Sequence, residues 1–205
     1  MISLLSIKPL LQLLPLSTLP IIPIVRNLTY KILILIFCCL GNLSGDAKTD
    51  IQDHMLQVKA DEYTPTDELS IPTGEFASVE GTPFDLREPV RLGDIIGKIS
   101  GGGQPGLDHN YVVSKSVQNE IQMIATCSDP KSGRKLVLYG TQPGVQVYTG
   151  NFLNGSPPFA QHYGFCLETQ YFPDSINQPN FPDIILRPGE KYRHEAIFSL
   201  RHVRD

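Results

Sequence analysis

Short stretches in which apolar and polar residues alternate occur throughout the chain after residue 45. Leu56, Val58 and Ala60 alternate with polar residues, which is the two-residue period of a strand with one buried face. Comparable runs lie at residues 110–114, 135–139, 145–149, 183–186 and 196–200. No long window sustains the 3.6-residue apolar period of an amphipathic helix. The pattern therefore predicts many short strands and no helix longer than about four turns.

Turn-forming segments separate these runs. The chain contains 17 Gly and 17 Pro, and they concentrate in segments between the alternating stretches, at 71–74, 100–106, 128–133, 142–144, 154–158 and 187–190. Short strands joined by such turns favour an antiparallel sandwich or barrel over alternating helices and strands. We predict an all-β fold for the chain from residue 46 onward.

The N-terminal segment has a different composition. Its first 40 residues contain no Asp or Glu and only three basic residues, Lys8, Arg26 and Lys31. Four prolines interrupt the first apolar stretch, and the second, at 32–40, is shorter than the roughly 20 residues of a membrane-spanning helix. We therefore expect residues 1–41 to lie outside the fold formed by residues 42–205. A signal or membrane role for the segment is the alternative.

Composition and charge narrow the class of protein. The chain has 205 residues, of which 41% are hydrophobic and 19% charged, as in ordinary globular proteins. A formal net charge of −4 argues against a nucleic-acid partner, because no basic surface is available to neutralise phosphates. The pattern predicts no particular oligomeric state.

The cysteines and histidines do not follow the spacing of a metal site. Cys38, Cys39, Cys127 and Cys166 form no CxxC pair, and the five histidines are scattered, so no metal site is predicted. Reduced thiols favour a cytoplasmic location. Membrane association or secretion through the apolar N-terminal segment is the alternative location.

A carboxylate follows an apolar run in the segment HYGFCLETQ (162–170), where Glu168 comes directly after Leu167. Glutamate is seldom buried without a partner, and a carboxylate held in such a position suits proton transfer. Glu168 is therefore a candidate general base. The alternative is an exposed carboxylate at the end of a strand.

Two further segments carry polar residues suited to ligand binding. In GLDHNYVV (106–113), Asp108 and His109 either form a hydrogen-bonding pair for a polar ligand or cap a loop. In TQPGVQVYTGNFL (141–153), the Gln146 amide can donate to and accept from sugar hydroxyls. Its spacing fits equally well a polar residue that faces solvent on an edge strand.

The other histidines have simpler interpretations. His54 precedes the first alternating run and marks a loop. His162 either approaches the same pocket as Glu168 or lies at the surface, and the surface position is the expectation. His194 and His202 lie among charged residues near the C-terminus and are expected to be solvated.

Seven segments, taken in order, resemble the aldose 1-epimerase family. They include DEYTPTDELSIPTGE (61–75), GTPFDLREPVRLG (81–93), GLDHNYV, TQPGVQVYTGNFL, GFCLETQYFPDSINQP and LRPGEKYRHEAIF. Together they extend over nearly everything after residue 41, which makes the combination specific although each piece alone is weak. The resemblance is to the C-terminal half of the family.

The resemblance implies a large antiparallel β-sandwich and an enzyme that interconverts the α and β anomers of free hexoses such as D-galactose and D-glucose. The family's catalytic glutamate falls on Glu168, which would be the base. The aspartate of its G-x-D-H motif falls on Asp108 and the glutamine of its P-G-V-Q segment on Gln146, both as substrate contacts. No metal or organic cofactor is implied, and the implied partner is a small sugar.

The chain departs from the family in one motif. Family members carry a general-acid histidine in H-x-Y-F-N-L-x-G, and here only Asn42-Leu43-Ser44-Gly45 remains of it. The residue at the position of that histidine is Cys38. Two functions are therefore open: an active aldose 1-epimerase, or a truncated relative that binds carbohydrate without turnover because it lacks the general acid.

Overall fold

The structure, a computed structural model, describes residues 41–115 and 120–202. The predicted N-terminal segment, with Cys38 and Cys39, lies outside the described residues apart from Gly41.

Two five-stranded antiparallel sheets and one short hairpin make up the described chain. The strands, in chain order, are β1 (Met55–Val58), β2 (Glu62–Tyr63), β3 (Ala77–Ser78), β4 (Val90–Arg91), β5 (Ser100–Gly101), β6 (Gln104–Pro105), β7 (Asp108–Val112), β8 (Gln122–Asp129), β9 (Arg134–Gly140), β10 (Gly144–Tyr148), β11 (Cys166–Gln170) and β12 (Ala196–His202). The first sheet has the order β12-β9-β8-β1-β4, the second β11-β10-β7-β2-β3, and β5 pairs with β6.

Helical structure in the described residues is limited to three short 3₁₀ turns, at Leu92–Asp94, Ile96–Lys98 and Ser175–Asn177. The prediction of an all-β antiparallel fold is confirmed. Within residues 41–115 and 120–202, no helix has the length and apolar character that crossing a bilayer requires.

The core lies where the two sheets face each other. In the first sheet, Leu56 and Val58 are fully buried and lie opposite Cys127 and Ala125 of β8. Because paired residues in antiparallel strands project to the same side, these side chains form one apolar layer. In the second sheet the matching layer consists of buried residues from three strands, namely Tyr111, Val145, Val147 and Leu167. The alternation in the sequence thus reports burial between two sheets.

The outer strand of the first sheet is less well covered. Leu200 of β12 lies opposite Leu136 of β9 and so projects to the core side of its sheet. Leu200 is nevertheless 72% exposed, whereas Leu136 is 9% exposed. The apolar layer of this sheet therefore extends beyond the part that the described residues cover.

The strand prediction for residues 183–186 is wrong. Ile184, Ile185 and Leu186 are exposed and belong to no strand. The Asp183 side chain accepts the backbone N–H of Ile185 and forms an ion pair with Arg187, so local side-chain bonds replace pairing with another strand.

The sequence pattern does not predict β8, the longest strand of the described residues. Its alternation is interrupted by a bulge between Met123 and Ala125. Ile124, Ala125, Thr126 and Cys127 are consecutive and all buried, so the two-residue period is lost at the sequence level.

Candidate active site

The three predicted site residues lie on neighbouring strands of the second sheet. Gln146 of β10 is directly opposite Asn110 of β7 on one side and Glu168 of β11 on the other. Tyr148 is directly opposite Asp108. Since residues paired across antiparallel strands share a face, these five side chains form one surface, here called the polar face. Asp108, Gln146 and Glu168 are thus brought together, as the hypothesis of a common site requires.

The residues that alternate with them project to the opposite side of the sheet and into the core. His109 is among these and is only 5% exposed. Its Nδ1 accepts the backbone N–H of Asp108 at 3.2 Å. The side chains of Asp108 and His109 therefore lie on opposite faces, and the suggestion that they act as a pair toward one ligand is wrong.

One hydrogen bond organises the centre of the polar face. Gln146 donates from Nε2 to Oδ1 of Asp108 at 2.8 Å. Two amide oxygens beside it, Oε1 of Gln146 and Oδ1 of Asn110, are buried and have no hydrogen-bond partner among the described residues. Buried acceptors without donors are uncommon and costly.

The carboxylates of the polar face differ in surroundings. Burial raises the pKa of Asp108, and the hydrogen bond from Gln146 offsets part of this rise. Glu168 is partly buried next to Leu167, which lies in the core. Asp108 is thus already engaged by an amide donor, whereas Glu168 is the carboxylate available to a ligand at the other side of Gln146.

Aromatic clusters bound the polar face at both ends. At one end Val112 packs with Phe172, Phe181 and Phe76, which fixes the segment that follows β11. Gly144 lies at this end, and a Cβ there would come within 2.4 Å of Oδ1 of Asn110. The lack of a side chain at this position therefore keeps the Asn110 amide in place.

At the other end, the rings of Tyr148 and Phe152 are stacked at a centroid distance of 6.5 Å and an interplanar angle of 10°. The Tyr148 hydroxyl accepts the backbone N–H of Phe152 at 2.9 Å. Phe152 is 52% exposed. This end of the polar face is therefore an open aromatic surface suited to contact with the apolar side of a ring-shaped ligand.

Sequence reasoning missed Asn110 and Tyr148. Both could have been found from strand parity, because Asn110 lies two residues after Asp108, and Tyr148 two residues after Gln146. In a strand, residues two apart project to the same face.

Two histidines occupy buried loop positions away from the polar face. Nε2 of His54 accepts the backbone N–H of Leu43 at 2.8 Å, and burial lowers the His54 pKa. Nδ1 of His162 lies 2.8 Å from the carbonyl oxygen of Thr149. His162 is 8% exposed, so the expectation of a surface position is wrong.

The C-terminal histidines differ from each other. His194 is half-buried, with Nε2 3.1 Å from the hydroxyl of Thr169 and Nδ1 3.4 Å from that of Thr141. The expectation that His194 is solvated is wrong, because these threonines are distant in sequence and give no local signal. His202 is exposed, as expected.

None of the histidines in residues 41–115 and 120–202 is hydrogen-bonded to the side chain of Asp108, Gln146 or Glu168. Nor does this part of the chain contain three His, Cys, Asp or Glu side chains grouped as metal ligands would be.

The remnant of the divergent motif lies beside β11. Gly41 and Phe165 exchange two backbone hydrogen bonds, of 2.7 and 2.9 Å. Asn42 donates from Nδ2 to the carbonyl oxygens of Thr49 and Tyr163. Gly41 and the surviving Asn42 therefore anchor the chain that leads into β11, at Phe165 and Tyr163 respectively.

Comparison with known proteins identifies close relatives. Residues 42–199 match the sequence profile of the aldose 1-epimerase family. Galactose mutarotases from Rattus norvegicus and Homo sapiens are each 48% identical over 164 residues, which cover 77% of this chain and 46% of theirs. Aldose 1-epimerase from Escherichia coli is 37% identical over 160 residues, which cover 74% of this chain and 45% of the bacterial protein.

Solved structures give the same result. An aldose epimerase homologue from C. elegans superposes with a TM-score of 0.69 at 27% identity, over 80% of this chain and 50% of that one. Galactose 1-epimerase from Lactobacillus acidophilus gives a TM-score of 0.60 at 27% identity, over 76% and 46%. The chain spans about half the length of the curated relatives it matches.

Proposed function

The chain belongs to the aldose 1-epimerase family, and from this membership we propose that its polar face is a hexose site at which α and β anomers are interconverted. D-galactose and D-glucose are the proposed substrates. Glu168 is the proposed base, and Asp108 and Gln146 are the proposed sugar contacts. Residues 42–205 carry this function.

The arrangement around Gln146 carries the proposal. Its amide bonds Asp108 on one strand and lies opposite Glu168 on the next. A pyranose presents hydroxyls on consecutive carbons, and each hydroxyl both donates and accepts. Such a ligand can donate to the carboxylates of Asp108 and Glu168 in the same pose.

In the proposed reaction Glu168 accepts the proton of the anomeric hydroxyl, and an acid delivers a proton to the ring oxygen. The bond between C1 and the ring oxygen breaks, which leaves an aldehyde and a hydroxyl. Rotation about the bond from C1 to C2 presents the other face of the aldehyde, and reclosure returns both protons. Removal of the proton from the anomeric hydroxyl, the step proposed for Glu168, needs a carboxylate with a free oxygen beside the bound sugar.

A second candidate function is sugar binding without turnover. It is favoured by Cys38 at the position of the family's general-acid histidine, and by the absence of any hydrogen bond from a described histidine to a side chain of the polar face. General acid–base catalysis contributes roughly 10²–10⁴-fold to a rate. A chain that lacks the acid would therefore bind hexoses and interconvert them slowly.

Polarimetry, which follows the rate of anomer interconversion, tests the two candidate functions. We expect the 205-residue chain to equilibrate α-D-galactose no faster than buffer, and to be poorly soluble because side chains such as Leu200 are exposed on an apolar sheet surface. An extended protein, in which the N-terminal half of rat galactose mutarotase precedes Asn42, should be soluble and should accelerate mutarotation. Glu168→Gln in the extended protein should remove the acceleration, because an amide cannot accept the proton.

One result would contradict the role of Glu168, and another would contradict the second candidate function. Fast mutarotation by the extended Glu168→Gln variant would show that the base lies elsewhere. A soluble and fast 205-residue chain would instead refute the idea that the histidine of the divergent motif is needed.

A further inference from the structure

A cavity of about 420 Å³ opens on the side of β7 opposite the polar face. Its inner wall contains His109 together with Tyr63 and Phe84. Tyr63 lies opposite Tyr111 in the sheet register and therefore shares the core side with His109. The exposed residues Asp67, Glu68 and Ser70 lie at its mouth. We call this space the end cavity.

His109 presents an unused donor in this wall. Its Nδ1 accepts a backbone N–H, so the neutral ring carries its proton on Nε2. Burial lowers the pKa of His109 to about 4, and the ring is therefore neutral near pH 7. No acceptor within residues 41–115 and 120–202 bonds Nε2. The imidazole, 5% exposed, thus offers one fixed N–H to an occupant of the cavity.

The aromatic residues hold this donor in place. Tyr63 and Phe84 are stacked at 4.2 Å with an interplanar angle of 13°, and Phe84 meets His109 edge to face at 4.8 Å. The carbonyl oxygen of Phe84 accepts the Tyr111 hydroxyl at 3.1 Å. The wall is therefore fixed before any ligand arrives, which lowers the entropy cost of binding.

The mouth supplies acceptors. One oxygen of Asp67 accepts the backbone N–H groups of Leu69 and Ile71, both at 2.9 Å, and so shapes the loop. Glu68 is exposed and forms no ion pair with the described residues. An occupant therefore meets carboxylate and hydroxyl acceptors outside and an N–H donor inside.

We propose that the end cavity is a second, non-catalytic site for a neutral monosaccharide, separate from the polar face. Sugar hydroxyls match it because each one accepts from Nε2 of His109 or donates to Asp67, Glu68 and Ser70. A cation would satisfy the carboxylates and leave the imidazole N–H unbonded. The volume falls in the range of small-molecule sites, and the aromatic side chains provide apolar contact for the sugar ring.

A single-tryptophan reporter tests this directly in the full chain at low micromolar concentration. The chain contains no Trp, so Tyr63→Trp places one fluorophore in the wall. The reporter is combined with Gln146→Ala and Glu168→Gln, which disable the polar face. Titration with D-galactose should still give a saturable change in Trp emission. This result does not depend on whether the polar face is catalytic, which polarimetry tests separately.

Two further variants identify the ligand chemistry. His109→Phe keeps the ring shape and removes the donor, and should raise the half-saturating galactose concentration about tenfold, the effect of one hydrogen bond. Glu68→Gln keeps an acceptor and removes the charge, and should change it less than about twofold. Circular dichroism checks that each variant is folded.

Three outcomes would overturn the proposal. Emission that does not respond to galactose in the folded reporter excludes the site. A response that disappears when Gln146 and Glu168 are replaced assigns all binding to the polar face. Saturation by tetramethylammonium but not by galactose, abolished in Glu68→Gln, would make the end cavity a cation site.

Discussion

The two faces of the second sheet are formed by the same three strands and differ in nearly every property. One face is apolar and buried in the core, and the other is polar with two unpaired acceptors. The core face comprises His109, Tyr111, Val145, Val147 and Leu167, and the polar face comprises Asp108, Asn110, Gln146, Tyr148 and Glu168. Residues adjacent in sequence thus contribute to different properties of the protein.

Strand parity separates the residues that stabilise the fold from those of the proposed chemistry. On the core face, burial of apolar surface stabilises the sandwich. On the polar face, Gln146 and Asn110 keep amide oxygens without donors among the described residues, which costs stability. A substitution on one face should therefore change stability, and one on the other face should change binding or turnover.

The sharpest test uses two adjacent residues. Leu167→Ala should lower the free energy of unfolding by about 2–5 kcal/mol, because it removes a side chain buried between the sheets. Glu168→Gln in the extended protein should leave stability within about 0.5 kcal/mol and lower the mutarotation rate roughly 10²–10⁴-fold. Urea denaturation and polarimetry measure the two quantities on the same samples.

Equal losses of stability in both variants would show that Glu168 stabilises the fold as Leu167 does. Val147→Ala is a matched control on the core face of the neighbouring strand, and it should behave like Leu167→Ala with a smaller loss.

Strand parity also explains what the sequence could and could not predict. The alternation near β1, β9, β10 and β12 located these strands, because each has one face toward the core. It failed at β8, where the bulge between Met123 and Ala125 interrupts the period. It also failed at 183–186, where apolar side chains have no strand to pair with among the described residues.

The candidate site was predicted only in part. The family resemblance supplied Asp108, Gln146 and Glu168, and their common face then follows from the register. The position of His194 could not be predicted, because its charged neighbours suggest solvent while Thr141 and Thr169 approach from distant strands. Contacts between residues far apart in sequence leave no mark in local composition.

The folding stability of the chain should depend on pH through His109, which lies on the core face. The pKa of His109 is lowered by burial to about 4 in the folded chain, against about 6.5 in the unfolded chain. Between these values the unfolded state binds the proton and the folded state does not. Stability is therefore fully present above about pH 6.5 and falls as the pH drops toward 4, by on the order of 3 kcal/mol.

His109→Phe should flatten this dependence, since Phe does not titrate. Urea midpoints measured from pH 4 to pH 7.5 check the slope, with His202→Gln as the control because His202 is exposed. A slope unchanged by His109→Phe would assign the acid sensitivity to other groups, of which His54 and His194 also have lowered pKa values.

Gly144 tests how closely the polar face is packed. A methyl group at this position would meet Oδ1 of Asn110 at 2.4 Å and the Phe172 ring at 2.9 Å. Gly144→Ala should therefore cost about 1–3 kcal/mol of stability and weaken galactose binding by moving the Asn110 amide. Gly97→Ala is the matched control, because a Cβ at Gly97 meets nothing within 4 Å. A neutral effect of Gly144→Ala on both quantities would show that Asn110 moves aside at little cost.

The smallest expected effect has the opposite sign and is the most specific to the polar face. Burial raises the pKa of Asp108, so its charged form is less stable in the folded chain than in the unfolded one. The stability that this group contributes is present at low pH and is lost as the pH rises through the raised pKa. Asp108→Asn should therefore increase the free energy of unfolding at pH 7 by at most about 0.5 kcal/mol, a small gain because the carboxylate still contacts water. The bond from Nε2 of Gln146 can persist, since the Asn oxygen also accepts.

The same variant, Asp108→Asn, should bind galactose more weakly, because the amide is a poorer acceptor for sugar hydroxyls than the carboxylate. Thermal unfolding with and without galactose measures both changes: a higher Tm without sugar and a smaller increase on adding it. If Asp108→Asn lowered the Tm without sugar, Asp108 would be a structural residue, and the division of roles between the two faces would not hold at this position.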